Sequence, residues 1–169
     1  KGRLIGREGR NIRTFEAVTG VNLIIDESPD SVMLSCFDAE RREAATVALA
    51  ALMSDGRIHP GRIEQAWEEA VAGAPGRTTA AGHEAADRAG VKDLHPDLIE
   101  AIGKLRLRTS YGQNVLAHLV ECAHVAAAIA AEIGADVDVA RRAAFLHDIG
   151  KVLPAETPGT HAALGAELA

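Results

Sequence analysis

The feature that most constrains this chain is a run of helix breakers near its middle. Gly73, Pro75, Gly76 and Gly82 fall within one short stretch. A helix through it would lose a backbone donor at the proline and carry the entropic cost of glycine three times. The sequence therefore predicts a linker over 73–92 that lets the flanking halves, 1–72 and 93–169, reorient. Each half must then bury a core of its own. Aromatic residues are only 3% of the 169, while 47% are apolar and 25% charged. That balance excludes disorder throughout, and cores of Ala, Val, Leu and Ile favour closely packed helices. A mostly helical protein is expected.

In the first half, Lys1-Gly2-Arg3-Leu4-Ile5-Gly6-Arg7-Glu8-Gly9-Arg10-Asn11-Ile12 sets a Gly-x-x-Gly loop, Gly6, Arg7, Glu8 and Gly9, between two apolar pieces. Paired glycines let the backbone approach a phosphate chain, and a helix over 10–18 points its amide end at the loop. Arg7 and Arg10 add charge for gripping consecutive phosphates, although an ordinary helix-connecting turn has the same pattern. Ile12, Phe15 and Thr19 share a face of that helix, and Gly20 ends it. Residues 21–26 and 31–36 alternate as strands about a Ser28-Pro29-Asp30 turn, which reads as a hairpin. Asp38 caps a helix over 39–54 that Asp55-Gly56 ends. A short helix over 62–72 places Ile63, Trp67 and Val71 on one face. His59-Pro60 and His95-Pro96 read as helix starts with proline in the first turn.

In the second half, a helix over 97–105 precedes Arg106 to Asn114, where Thr109 or Ser110 caps a helix over 111–133. On it His118, Cys122, Val125 and Ile129 share a face, and His124 points away. A further helix over 136–146, with Val139, Ala143 and Leu146 inward and Arg141-Arg142 outward, delivers His147 and Asp148 side by side, followed by Ile149-Gly150-Lys151. A neutral imidazole and a carboxylate so placed can share a divalent metal. The pair alone is equally a half-buried histidine satisfied by its neighbour, with Lys151 a surface cation. An antiparallel helix pair would bring His118 opposite it. Cys122 lies on the right face, but thiolate suits a hard-metal site poorly, so it reads as core. Thr160 caps a last helix beginning at His161, which is a further ligand, a phosphate contact or a solvent-facing histidine.

The net charge of −6 argues against a surface that binds nucleic acid everywhere. Residues 1–16 nevertheless carry Lys1, Arg3, Arg7, Arg10 and Arg13 against Glu8 and Glu16, a local basic face sufficient for phosphate contacts. Cys36 and Cys122 have no paired spacing and fit two reduced thiols. No apolar run long enough to span a membrane and no export signal is expected, and a motif at the very first residue reads as a piece of a longer protein.

The order helix, Gly-x-x-Gly, helix, strand, strand, helix over 1–72 resembles a KH RNA-binding domain lacking its first strand. His118 followed by His147-Asp148-Ile149-Gly150-Lys151 resembles the HD-domain metallophosphohydrolases, with 93–169 their N-terminal part. The fold class is thus an α+β KH domain followed by an all-α HD-type metallohydrolase domain. Both halves in this order, with Leu23 to Asp26, Asp55 to Pro60 and Arg108-Thr109-Ser110-Tyr111-Gly112-Gln113-Asn114 between them, resemble the ribonuclease Y family of bacterial endoribonucleases that initiate mRNA decay.

That resemblance implies a metal-dependent endoribonuclease acting on single-stranded RNA. It implies divalent metal (Mn2+, Mg2+ or Zn2+) on His118, His147, Asp148 and His161, catalysis by His147, Asp148 and Lys151, and RNA contacts from Gly6, Arg7, Glu8, Gly9 and Arg10. It further implies a homodimer with RNA-degradation partners, held at the cytoplasmic face of the bacterial membrane by an N-terminal segment outside this chain. The family's last HD ligand, an aspartate, falls after Ala169, which puts cleavage by this stretch alone in question. A phosphohydrolase of nucleotides or cyclic dinucleotides and a non-catalytic RNA-binding scaffold are the alternatives.

Overall fold

The structure, a computed structural model, describes residues 1–26, 31–154 and 156–169. The Ser28-Pro29-Asp30 turn lies outside the described residues. Two compact units emerge, Lys1–Ala74 and Pro75–Ala169, each with its own apolar core.

The first unit runs α1 (Gly2–Ile5), a 3-10 turn over Arg7–Gly9, α2 (Arg10–Thr19), β1 (Asn22–Ile24), β2 (Met33–Ser35), α3 (Ala39–Asp55) and α4 (Pro60–Ala72). The expected hairpin forms, antiparallel, with Asn22 opposite Ser35, Leu23 opposite Leu34 and Ile24 opposite Met33. Its period of two buries Leu23 and leaves Ile24 and Met33 exposed. Gly20 closes α2 in the left-handed region by donating to the Glu16 carbonyl. The Asp38 carboxylate accepts from the Glu40 and Arg41 amides at the start of α3, and the His59 ring accepts from the Arg62 amide at the start of α4. Phe15 and Thr19 are buried as expected, but Ile12 is only half-buried and Asn11 takes the inward position beside them. On α4 the inward residues are Ile63, Ala66 and Ala70, whereas Trp67 is half-buried and Val71 exposed. The buried positions of α3 are likewise mostly alanine. Two helices packed on alanines bring their axes close, and a stripe of bulky residues would hold them apart.

The second unit holds α5 (Ala74–Ala89), α6 (Pro96–Lys104), β3 (Thr109–Ser110), β4 (Gln113–Asn114), α7 (Val115–Ile133), α8 (Val137–Leu146), a 3-10 turn over Ile149–Val152 and α9 (His161–Leu168). Helix α5 corrects the expectation of a flexible linker over 73–92. Pro75 falls in its first turn, where a missing amide hydrogen removes no helical bond. Gly82 is buried where the α6 backbone passes: a Cβ there would overlap the Ile99 carbonyl, and one on Gly103 would overlap that of Thr78. Of the four breakers, Pro75 is thus a first-turn proline, Gly82 a packing glycine and Gly73 the C-cap of α4. His95-Pro96 opens α6 with proline in its first turn, as anticipated, and the His95 ring accepts the Asp97 amide there.

The helix expected over 111–133 begins later, at Val115. Thr109 and Ser110 pair with Asn114 and Gln113 in a two-residue hairpin turned by Tyr111 (φ 51°) and Gly112 (φ 80°), the positive-φ pair that a tight hairpin requires. Asn114, not Thr109 or Ser110, caps α7 by accepting from the Ala117 amide. The buried stripe of α7 is Val115, Leu119, Ala123, Ala127 and Ala130, with Val120 beside it. His118 and Cys122 lie half-buried at its edge, while Val125 and Ile129 are exposed. By length and composition alone α7 is apolar enough to cross a membrane. Here it is the central core helix of the unit, packed against α8. On α8 the fully buried residue is Phe145, with Leu146 half-buried and Val139 and Ala143 exposed.

Candidate functional site

At Leu146 helix α8 ends, and the chain tightens into the 3-10 turn over Ile149–Val152. The change of pitch turns Asp148 inward, so that only 5% of it is exposed. Four cationic or imidazole groups converge on its carboxylate. Lys151 Nζ donates to Oδ2 at 2.7 Å, His147 Nε2 lies 3.4 Å from the same oxygen, and His118 Nε2 lies 3.9 Å from it. His161 Nε2 stands 3.3 Å from the other oxygen, Oδ1. The rings of His118 and His147 meet edge to face with centroids 5.4 Å apart. The antiparallel α7/α8 pair therefore brings His118 to the His-Asp pair, as the spacing suggested, and α9 contributes His161.

Burial pushes the Asp148 carboxyl upward, but the Lys151 hydrogen bond and the charges of His147, Lys151 and His161 outweigh it and hold the group below its ordinary value. Asp148 is therefore an anion at neutral pH. His147 Nδ1 lies 2.7 Å from the Ala144 carbonyl. A carbonyl can only accept, so Nδ1 carries a hydrogen, which leaves Nε2, facing the carboxylate, as the ring nitrogen available to a metal. A backbone carbonyl on the far nitrogen is the usual way a ligating histidine is oriented. Three imidazoles and one carboxylate match the donor set of a divalent ion.

Cys122, read as core, stands closer to this cluster than expected. Its Sγ is 3.5 Å from His118 Nε2, and donor atoms of His118, Cys122 and His147 lie within 4.8 Å of one another. Burial, then the charges of Asp148 and Glu121, push its thiol up. That disfavours the thiolate a metal would need.

The position of His161 rests on a pair of glycines that sequence reasoning passed over. A Cβ on Gly150 would overlap the His161 carbonyl and sit 2.7 Å from the Gly165 amide nitrogen. Gly165 faces it, buried, from the second turn of α9. The Thr160 hydroxyl accepts from the Ala163 amide and fixes the start of that helix. Nothing local marks this long-range approach; only the glycine inside the His-Asp-Ile-Gly-Lys run hinted at it. His124, excluded from the site, is exposed.

In the first unit, Gly6 (φ 74°), Glu8 (φ 53°) and Gly9 (φ 73°) carry the loop through left-handed conformations into α2. Arg7, Glu8 and Arg10 are exposed on it. Asn11, also missed, anchors the loop from below. Its Nδ2 donates to the carbonyls of Arg3 at 2.9 Å and Ile58 at 3.0 Å, and a Cβ on Gly6 would stand 2.8 Å from its side chain. A buried amide bridging two backbone segments fixes the height of the loop above α2.

Comparison with known proteins agrees with both halves. The KH domain family matches residues 1–51 and the HD domain family residues 115–169. Ribonuclease Y of Thermobifida fusca is 57% identical over the whole chain, that of Frankia alni 56% and that of Thermotoga maritima 55%. The chain spans 34%, 23% and 33% of those relatives, about a quarter to a third of their length. No solved structure matches. The chain is thus similar along its whole length to these ribonuclease Y proteins, with a match to the KH domain family followed by one to the HD domain family.

Proposed function

We propose that the intact protein is a metal-dependent endoribonuclease that hydrolyses internal phosphodiesters of single-stranded RNA. The observation that carries this reading is the convergence of His118, His147, His161 and Lys151 on the buried carboxylate of Asp148, in the same chain as a KH domain.

The residues that would hold a divalent ion are His118, His147, Asp148 and His161. A divalent ion supplies Lewis acidity toward a phosphate and makes water acidic enough to attack near neutral pH. Asp148 contributes the anionic charge, kept ionised by Lys151. The Ala144 carbonyl keeps the His147 ring in one tautomer and one orientation. Lys151, only partly buried, is the cation that offsets charge developing on phosphate oxygens. In the first unit, the loop of Gly6, Arg7, Glu8, Gly9 and Arg10 would grip consecutive phosphates of an unpaired strand and so supply RNA to the HD unit.

The test is hydrolysis by the full-length protein, with added Mn2+ or Mg2+, of three substrates offered separately: a 5′-labelled single-stranded RNA, a mononucleotide and a cyclic dinucleotide. Internal cuts in the RNA that stop on chelation are expected. Hydrolysis of nucleotides with the RNA left whole would replace this reading by a small-nucleotide phosphohydrolase, and RNA bound but never cut would leave a scaffold.

A further inference from the structure

A cleft of about 320 Å³ opens beside the Asp148 cluster, walled on one side by Arg108, Thr109 and Ser110 and on the other by Lys151, Thr157 and His161. Its lining is cationic and rich in hydroxyls. Arg108 is exposed, yet its Nη2 donates to the Val152 carbonyl at 3.4 Å, which holds the guanidinium over the 3-10 turn. Lys151 Nζ lies 3.4 Å from Ser110 Oγ and 2.7 Å from Asp148 Oδ2, so one ammonium links the cleft to the carboxylate.

The hairpin that forms the first wall is firmly held. The Val115 amide donates to the Arg108 carbonyl at 3.0 Å, and Asn114 Nδ2 donates to the Arg106 carbonyl at 2.7 Å. At its tip stands Tyr111, 103% exposed and at positive φ. Asn, Asp or Gly suits that turn position better than a bulky aromatic residue. Neither core packing nor turn chemistry accounts for a tyrosine there. An exposed ring next to a cationic cleft is the combination that binds single-stranded nucleic acid, with a phosphate on the charge and a base on the ring.

We propose that the Arg108–Asn114 hairpin is a strand-holding element of the HD unit: Arg108, Ser110 and Lys151 seat a phosphate of single-stranded RNA, and Tyr111 stacks on the adjoining base. This rests on the endoribonuclease reading above and deepens it. It assigns RNA contacts to the HD unit itself, separate from the Gly-x-x-Gly loop. A ring at the tip also discriminates by substrate, since a phosphodiester without a nucleobase has nothing to place on it.

The experiment uses full-length protein with Mn2+ and two substrates, a labelled single-stranded RNA and a labelled strand of the same length made of abasic ribonucleotides, which carries no ring to stack. Tyr111→Ala is expected to lower kcat/KM on RNA by about 5- to 150-fold, from the ordinary strength of base stacking. That loss should exceed the loss on the base-free probe by at least about fivefold, and Tyr111→Phe should restore most of the activity on RNA. Arg108→Ala should act through KM and flatten the salt dependence of log KM by about 0.7, the value of one phosphate contact on a single strand, with Arg108→Lys restoring the slope. Equal losses on both substrates for Tyr111→Ala would mark a merely structural residue and overturn the proposal. So would RNA kinetics unchanged in both alanine variants while the wild-type protein cuts RNA, which would leave the endoribonuclease reading intact. Wild-type protein that cuts no RNA at all would refute both.

Discussion

Gly150→Ala probes how the HD unit is assembled more sharply than removal of any ligand. The added methyl group would lie 2.7 Å from the Gly165 amide nitrogen and 2.9 Å from the His161 carbonyl carbon, where ordinary contacts begin near 3.4 Å. Both neighbours are backbone and cannot rotate aside, so α9 must shift outward by more than half an ångström. His161 is the first residue of that helix, with its ring now 3.3 Å from Asp148 Oδ1. Overpacking of this kind costs about 1–3 kcal/mol of stability, while metal sites tolerate only about 0.2 Å in ligand distance. Loss of oriented support for a ligand typically weakens metal binding about 10- to 100-fold. The assay is a titration of the full-length variant with Mn2+, read as free ion by electron paramagnetic resonance, beside a thermal melt. Weaker Mn2+ binding with a lowered but cooperative melt is expected. Wild-type Mn2+ affinity in Gly150→Ala would refute the claim that the glycine pair positions His161.

The remaining expectations concern the first unit. Asn11→Ala removes both hydrogen bonds to the Arg3 and Ile58 carbonyls and should cost about 1–3 kcal/mol in urea unfolding; a change below the error of the fit would show that the bridge is not a support. The double variant Arg7→Ala, Arg10→Ala should weaken binding of single-stranded RNA and flatten its salt slope by about 1.4, two phosphate contacts at about 0.7 each; an unchanged slope would remove both arginines from the interface. The Asp55 carboxyl sits below its ordinary value of 3.8, held there by the Arg57 amide and by Arg62. A lowered folded value means that the unfolded chain binds the extra proton, so this stability is fully present above about pH 4 and is lost as pH falls through and below that value. Asp55→Asn should therefore flatten the fall of the unfolding midpoint between about pH 4 and 2, and an equally steep fall would contradict the pairing.

The parts legible in the sequence were those set by local chemistry. Asp38 caps α3 where expected, and His59-Pro60 and His95-Pro96 mark helix starts, with the two helices beginning at Pro60 and Pro96. His118, His147 and Asp148 were joined by motif spacing, and the structure brings them together. Where a residue's role depends on what packs against it, the sequence was mute. Gly82 reads as a breaker until Ile99 passes over it. The apolar residues of α7 run all around the helix, so no period could tell the buried Leu119 and Ala123 from the exposed Val125 and Ile129. His161 had three readings because its place depends on the Gly150 and Gly165 contact, which no local pattern announces. Tyr111 was hidden for the opposite reason, since it was absorbed into a predicted helix that begins four residues later.

The central claim is that RNA is cut at the Asp148 cluster with the help of a divalent ion. It is tested most directly by single-turnover cleavage of a 5′-labelled single-stranded RNA in Mn2+, comparing the full-length protein with its His147→Ala, Asp148→Ala double variant, with RNA binding measured in parallel. The account predicts internal cuts by the wild-type protein, none by the variant, and retained RNA binding in both, because the Gly-x-x-Gly loop is untouched. Internal cuts at an equal rate by the double variant would contradict it.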